Sequence, residues 1–241
     1  MTPDYVLAAV ARILDAVLPL CRRRGGGIGN ADVHARTIKI LDRLAQDTRA
    51  AARSTTLAAD LAAVLNGYRL ASNSPLAVLE GLERIVSACR AWQPAGGGAD
   101  TLLLQAFAET ELCGLLEALA VSGQALAIAG YQLRSHEEAQ QLRRRLGASF
   151  DIAIDRAAEA GRIAVLRQLR VTAAALVRDL IERGRPLARM VTYETASPLP
   201  SIVLAWNLYQ DAGRAGDLEA QNATRIVHPG WMPLSGKALS R

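Results

Sequence analysis

Apolar side chains recur at steps of three and four along most of the first 184 residues, which predicts a succession of amphipathic helices. Thr2 followed by Pro3 has the pattern of a helix start, and so have Ser74 followed by Pro75 and Ser135. The predicted helices cover about 3–24, 31–51, 57–68, 75–89, 100–130, 136–160 and 166–180. The helix at 100–130 is expected as one element, or as two with a kink near Gly123.

Two glycine-rich stretches, residues 25–29 and 92–98, interrupt the helical pattern and predict connecting loops. Leucine and alanine along 166–180 alternate in steps of three and four, as in the seam of an antiparallel helix pair or bundle. We therefore expect an N-terminal helical region at 1–95, a long-helix bundle at 96–186 and a small module at 187–241. The expected fold class is mainly α, a helical bundle body followed by an α+β module.

The pattern changes after Pro186. Met190–Glu194 combines β-branched and aromatic residues in a short run, which predicts a strand. Two short helices are predicted at 202–209 and 215–222. The segment 226–233 cannot be helical, because its prolines lack N–H donors and restrict the residues before them. The order strand, helix, helix and extended tail predicts a small α+β unit.

Composition agrees with a helical body, because alanine and leucine dominate while aromatic residues make up only 4% of the chain. The formal net charge is +5. Acidic residues lie among the arginines almost everywhere, which is typical of solvated helix faces. The charge alone therefore gives little support to nucleic-acid binding.

The densest basic cluster is Arg143, Arg144 and Arg145, within a predicted helix. Successive helical residues point about 100° apart, so the three cannot form one flat patch. Two of them could still contact phosphates. We take the three as candidate DNA or phosphate contacts.

Cysteine and histidine residues are few and far apart in the sequence. They are Cys21, His34, Cys89, Cys113, His136 and His228. None has a neighbour at the spacing of a zinc site or a disulfide framework. The cysteines lie in apolar helical stretches, so we expect them to be buried, and we expect His136 to be exposed. The sequence predicts no metal site and no cofactor.

Neighbouring carboxylates occur at Glu109 with Glu111 and at Glu137 with Glu138. Acid–base catalysis by a carboxylate pair needs a cleft that separates their pKa values. Both pairs fall on predicted helices, where we expect solvated faces. With no hydrolase nucleophile motif in addition, the sequence predicts a protein that is not an enzyme.

The most apolar run, residues 112–129, barely reaches the length that a bilayer requires, about 20 residues. It contains Glu117, Ser122 and Gln124, and its small residues suit close packing within a protein equally well. We therefore expect a core helix and no membrane partner.

The residues after Pro186 resemble a lysin-motif (LysM) module in order and spacing. A strand at Tyr193 is followed by a helix to Tyr209, a second helix that ends at Asn222 and a closing segment at 229–233. The resemblance implies a βααβ fold, in which the asparagine begins the turn to the last strand.

The same residues are similar to the C-terminal end of the Mu-like phage DNA circularisation protein family. The matching residues are LPSIVLA at 199–205, Leu208 and Tyr209, Arg214, Asn222 and HPGWMP at 228–233. The resemblance covers 187–235, and more loosely 100–186, where the helices are similar in composition. The family's usual members begin with a β-rich portion, whereas this chain begins with a predicted helix.

The resemblance implies a virion protein of a contractile phage tail, synthesised in the host cytoplasm. We expect a structural adaptor at the tube end or baseplate hub that contacts other tail proteins, whether tube, hub or wedge, and forms a homo-oligomeric ring of three- or six-fold symmetry. One alternative is a DNA-end-binding or circularisation protein delivered with the genome. Another is a cell-wall-binding accessory.

Large aromatic residues, scarce elsewhere, concentrate in the C-terminal module. Tyr193, Trp206, Tyr209 and Trp231 lie there with His228, and we take these five as candidate protein-interface residues. Tryptophan and tyrosine contribute much of the binding energy at protein interfaces. The alternative for the aromatic residues is packing in the module's own core.

Overall fold

The computed structural model describes residues 4–22, 28–47, 55–94, 100–226, 228 and 230–240. Helices dominate this part of the chain, and the named strands lie near its C-terminal end. The mainly α fold with a small α+β module is therefore confirmed. The predicted helix start at Thr2, the end of the second helix at 51 and most of the two glycine-rich stretches lie outside the described residues.

The helices follow the predicted order. Helices α1 to α7 are Asp4–Arg22, Ala31–Gln46, Leu57–Ala71, Pro75–Ala91, Asp100–Ala129, His136–Glu159 and Ile163–Gly184. The later elements are β1 (Met190–Glu194), β2 (Leu199–Pro200), α8 (Ser201–Tyr209), a 3-10 turn (Ala212–Arg214), α9 (Ala215–Gln221), β3 (Trp231–Met232) and β4 (Ser235–Leu239). Helix α5 is one continuous element, with Gly123 inside it.

The chain divides into two compact units. The first comprises Met1–Tyr131 and Arg145–Val177, and the second comprises Gln132–Arg144 and Arg178–Arg241. Helices α6 and α7 therefore contribute residues to both.

In the first unit α5 packs against α1, α3 and α4, and α2 packs against α3. The apolar stripe of α1, including Ile13, Leu14 and Val17, is buried. Such an amphipathic stripe is stabilised chiefly by this packing rather than by local propensity. The helices of the N-terminal region thus share their core with α5.

Side-chain caps begin several helices, as the sequence predicts. Ser74 Oγ accepts a hydrogen bond from the Ala77 N–H at 3.3 Å, and Ser135 Oγ accepts one from the Glu138 N–H at 3.1 Å. In a capping box, the glutamate would accept a hydrogen bond from the serine N–H. Here Glu138 Oε2 accepts from the Arg134 N–H instead. These caps satisfy N–H groups that the first turn leaves unpaired.

Helix α5 carries a buried carboxylate, Glu109, where a solvated face was expected. Its side chain is fully buried, so the prediction for this residue is wrong. Arg12 Nη1 donates to both carboxylate oxygens at 3.0 Å, and Trp92 Nε1 donates at 3.0 Å. The Arg12 guanidinium also lies 4.9 Å from the Trp92 ring centroid. Burial of the charge is tolerated because these donors replace water.

A second buried carboxylate, Glu117, lies two turns further along α5. Arg90 Nε donates to Glu117 Oε1 at 2.7 Å, and Arg156 Nη1 lies 3.4 Å from Oε2. The 28 residues Leu102–Ala129 are long and apolar enough to cross a membrane, yet 61% of the most apolar window is buried within the protein. Both Glu109 and Glu117 lie within this stretch.

The strands of the second unit form two small antiparallel pairs. β1 pairs with β4, with Tyr193 opposite Gly236, and β2 pairs with β3, with Pro200 opposite Trp231. In the described part of the predicted closing segment, residues 230–233, the strand is the short β3, and the partner of β1 comes from residues beyond it. Strand β4 was not predicted from the sequence.

Candidate protein interface

The second unit has its own apolar core beneath the β1–β4 pair. The fully buried members are Tyr193, Leu204, Ala205, Leu218, Met232 and Ala238. They come from both strand pairs and both short helices. The core therefore fixes the position of α8, which carries the candidate interface.

Asn222 joins the end of α9 to β4. Its Oδ1 accepts from the Lys237 N–H at 2.8 Å, and its Nδ2 donates to the Lys237 carbonyl at 2.7 Å and to the Leu218 carbonyl at 2.8 Å. The side chain is buried, so these bonds are protected from water. The asparagine expected to begin a turn thus also binds the last strand directly.

The outer side of α8 is apolar. Apart from Ser201 and Asn207, every residue of this helix is apolar or aromatic. Leu204 and Ala205 are buried, whereas Ile202, Val203 and Trp206 are 59%, 43% and 54% exposed. A helix that is apolar on all sides is normally buried on all sides. In α8, by contrast, the core covers one side, and the apolar side chains on the outer side stay exposed to solvent.

Trp231 is a second exposed tryptophan, near the N-terminal end of α8. It lies opposite Pro200 in the β2–β3 pair, directly before the helix begins. The Ser201 N–H donates to the Gly230 carbonyl at 2.8 Å, which attaches the start of the helix to the turn before Trp231. The Trp231 residue is 49% exposed. We call Ile202, Val203, Trp206 and Trp231 the aromatic face.

The other candidate interface residues lie in different settings. Tyr193 is in the core, and burial raises its pKa. Tyr209 is half-buried: its hydroxyl accepts from the Leu239 N–H at 2.9 Å, and its ring lies under the Arg214 guanidinium at 3.8 Å. His228 is exposed, and its carbonyl accepts from the Trp231 N–H at 3.0 Å. Tyr193 and Tyr209 thus support the fold of the unit, and the exposed aromatic surface comes from the two tryptophans.

The arginine cluster does not present three equivalent cations. Arg145 forms an ion pair with Glu83, and this hydrogen bond raises its pKa. Arg144 is exposed and donates to the Gln140 carbonyl at 3.4 Å, while Arg143 is half-buried. A phosphate at Arg145 would therefore have to compete with a carboxylate.

His136 is half-buried rather than exposed, which corrects the prediction from the sequence. Its Nδ1 lies 3.0 Å from the Gly184 carbonyl, and its Nε2 lies 2.8 Å from the Gln140 side-chain amide. Since a carbonyl only accepts, Nδ1 carries the proton and Nε2 accepts from the amide. His136 thus binds the first turn of α6 to the end of α7.

The three cysteines are buried as predicted. Burial raises the pKa of Cys21 to about 12, so its thiol stays protonated at neutral pH. Cys89 and Cys113 lie together in the first unit, and their mutual hydrogen bond, with burial, raises the pKa of Cys89. The sequence separation of these two had hidden their contact. Within the described residues, no group of three or more His, Cys, Asp or Glu side chains could hold a metal ion.

Comparison with known proteins leaves the family open. No model of a known protein family matches the sequence, and no curated protein matches it. The resemblance of 187–235 to the circularisation proteins therefore stays a prediction.

Proposed function

We propose that this chain is a structural adaptor of a contractile phage tail, in the tube-end or baseplate-hub region, that docks on neighbouring tail proteins through its aromatic face. The observation that carries the proposal is the outer side of α8, where Ile202, Val203 and Trp206 are exposed beside Trp231. Exposed apolar side chains grouped in this way mark sites of protein–protein contact. We infer the location in a phage tail from the resemblance to the circularisation proteins.

The chemistry of the aromatic face fits a protein partner better than a polar ligand. A tryptophan supplies a large contact area with few rotatable bonds, and its truncation at an interface often costs about 2 kcal/mol or more. The face is built on a helix fixed by the core of its unit, so little ordering accompanies docking. A ring of three or six copies would repeat the same face around the tail axis.

DNA-end binding is the weaker alternative. Among the three candidate arginines, Arg145 is already paired with Glu83, and consecutive helical positions direct the side chains apart. DNA affinity of such a cluster should fall steeply with added salt as counterions are released. The adaptor proposal instead predicts contacts that survive moderate salt, because apolar burial is little affected by screening.

The proposal is tested by assembling phage particles with the double variant Trp206→Gln, Trp231→Gln. We expect the variant to fold, because both side chains lie on the surface, and to be lost from purified particles. A matched control is Val171→Gln, which changes a 65% exposed side chain on α7 in the first unit and should leave incorporation unchanged.

Two results would count against the adaptor. Equal incorporation of the double variant and the control would show that the aromatic face is not the docking surface. Salt-sensitive DNA binding lost in Arg143→Gln, Arg144→Gln, with normal incorporation of the tryptophan variant, would favour the DNA-binding alternative.

A further inference from the structure

The register of the β1–β4 pair decides which backbone groups of β1 face away from β4. Just outside the strands, the Thr195 N–H donates to the Leu234 carbonyl at 2.7 Å and the Ser240 N–H donates to the Arg189 carbonyl at 2.6 Å. Hydrogen-bonded pairs alternate along an antiparallel ladder. The N–H and C=O groups of Met190, Thr192 and Glu194 therefore point to the outer edge of β1.

The outer edge of β4 is covered by side chains. At Lys237, both the N–H and the carbonyl are bound by the Asn222 amide at 2.8 and 2.7 Å. At Leu239, the N–H is bound by the Tyr209 hydroxyl at 2.9 Å. Proteins commonly protect sheet edges against pairing with other chains. This edge is protected by groups from α8 and the residue after α9.

The outer edge of β1 is protected at one end alone. The Met190 N–H donates to Glu137 Oε2 at 2.8 Å. Across the described residues, the outward backbone groups of Thr192 and Glu194 have no hydrogen-bond partner, and both residues are exposed. Two successive edge positions are thus available for main-chain hydrogen bonds.

A cleft of about 370 Å³ lies beside this edge. Its walls include Thr192 and, from the first turns of α6, Glu137 and Gln141. Glu138, Arg134 and Lys237 also line the cleft, so its two carboxylates are matched in number by two cations. Of these charged groups, Glu137 is the one that accepts a hydrogen bond from the edge of β1, through its Oε2. Its Oε1 has no hydrogen-bond partner among the described residues.

We infer that the outer edge of β1 binds an extended segment of another polypeptide, which adds to the β1–β4 pair as a third strand. Main-chain bonds to Thr192 and Glu194 provide the attachment, as in other cases of strand addition. A lysine or arginine of that segment reaches Glu137 Oε1 through the cleft. This surface is separate from the aromatic face and does not depend on a role in a phage tail.

A second copy of this chain fits the edge poorly. In an antiparallel pair of two β1 strands centred on Thr192, Glu194 of one copy faces Met190 of the other. There it would approach Glu137, which is bound to the Met190 N–H. Like charges brought close together across a strand pair are destabilising. The observed charges therefore favour a different polypeptide with a basic side chain at that position.

The test is a selection of displayed random twelve-residue peptides on the full-length protein, followed by hydrogen exchange with the selected peptides. We expect Pro-free sequences that contain lysine or arginine, and slower exchange of the Thr192 and Glu194 amides when such a peptide is bound. In Glu137→Gln, peptides with the basic residue should bind more weakly, while the same peptides with that residue changed to glutamine should be unaffected.

Thr192→Pro removes an outward N–H that the β1–β4 ladder does not use, so the pair should form while peptide affinity falls about tenfold or more. Ser235→Pro is the matched control, because it removes an outward N–H on the edge of β4 and should leave affinity unchanged. The inference is overturned if the selection yields no peptide that distinguishes Thr192→Pro from Ser235→Pro. It is equally overturned if the Thr192 and Glu194 amides of the free protein exchange as slowly as the Tyr193 amide.

Discussion

Two tyrosines of the second unit differ in the hydrogen bonding of their hydroxyl groups. The Tyr193 hydroxyl is buried and has no hydrogen-bond partner among the described residues, while the Tyr209 hydroxyl accepts from the Leu239 N–H. Gly236 lies against the Tyr193 hydroxyl, where any Cβ would come within 2.5 Å of the oxygen. An unpaired buried hydroxyl costs free energy, whereas a paired one stabilises the fold. The two residues therefore form a matched pair for mutation.

We expect Tyr193→Phe to change the free energy of unfolding by less than about 0.5 kcal/mol, because no bond is lost. Tyr209→Phe should lower it by about 1 kcal/mol and accelerate exchange of the Leu239 amide, which loses its acceptor. Urea unfolding and hydrogen exchange measure both effects. A larger loss in Tyr193→Phe than in Tyr209→Phe would contradict the hydrogen-bond assignment.

The same tyrosines give the second unit a dependence on alkaline pH. Burial raises the pKa of both residues. The unfolded chain therefore releases these protons first, starting near the ordinary tyrosine pKa of about 10. The contribution of these two tyrosines to stability should be level below that pH and fall as pH rises above it, since the unfolded state then binds fewer protons. Urea unfolding between pH 8 and 11 should show a smaller fall in Tyr193→Phe than in the wild type; an equal fall would contradict the burial of Tyr193.

Glu109 is a fully buried carboxylate of α5. We expect Glu109→Gln to lower the free energy of unfolding by about 2 kcal/mol, because its bonds with Arg12 lose their charge assistance. Glu111→Gln is the control on the same helix. Glu111 pairs with Arg162 at a partly exposed position, so the cost there should be less than about 1 kcal/mol. Equal effects of the two changes in urea unfolding would argue against a special role for the buried carboxylate.

At the level of elements, the formation of β4 depends more on hydrogen bonds from neighbouring elements than on the strand preference of its own residues. Asn222→Ala removes both bonds to Lys237, so we expect a loss of about 2 kcal/mol and faster exchange of the Lys237 amide. Asn207→Ala changes an exposed asparagine on α8 and should stay within about 0.5 kcal/mol of the wild type. Unchanged Lys237 exchange in Asn222→Ala would mean that β4 is held by β1 alone.

The helices and β1 could be predicted from the sequence because their signals are local. Apolar spacing, proline positions and capping residues such as Ser74 and Ser135 act within a few residues. Strand β4 could not be predicted in this way, since the run Ser-Gly-Lys-Ala-Leu has little strand preference of its own. It forms because β1, Asn222 and Tyr209 supply its hydrogen bonds.

The candidate site, too, was predictable where its signals are local and not where they depend on distant contacts. The unusual aromatic content that Trp206 and Trp231 bring to this segment is visible in the sequence. Their exposure is not, because it depends on which side of α8 the core covers. Burial of Glu109 was missed because one partner, Arg12, lies 97 residues away in the chain. Distant pairings of this kind leave no periodic signal.

For the whole molecule, we expect the two compact units to have different roles. The first is a helical body whose buried carboxylates on α5 are matched by arginines from α1, α4 and α6. The second carries the aromatic face and the open edge of β1. Substitutions in the aromatic face or at the edge of β1 should therefore change binding. Substitutions such as Glu109→Gln should change the free energy of unfolding.

Hydroxyl-radical footprinting of purified phage particles tests the central claim most directly, because it reports the exposure of individual aromatic side chains. In the free protein Trp206 and Trp231 should be oxidised readily, as should Phe107, a 65% exposed residue of the first unit that serves as the internal reference. On assembly we predict that oxidation of both tryptophans falls several-fold relative to Phe107. Absence of the chain from the particles, or equal oxidation of these tryptophans before and after assembly, would contradict the account.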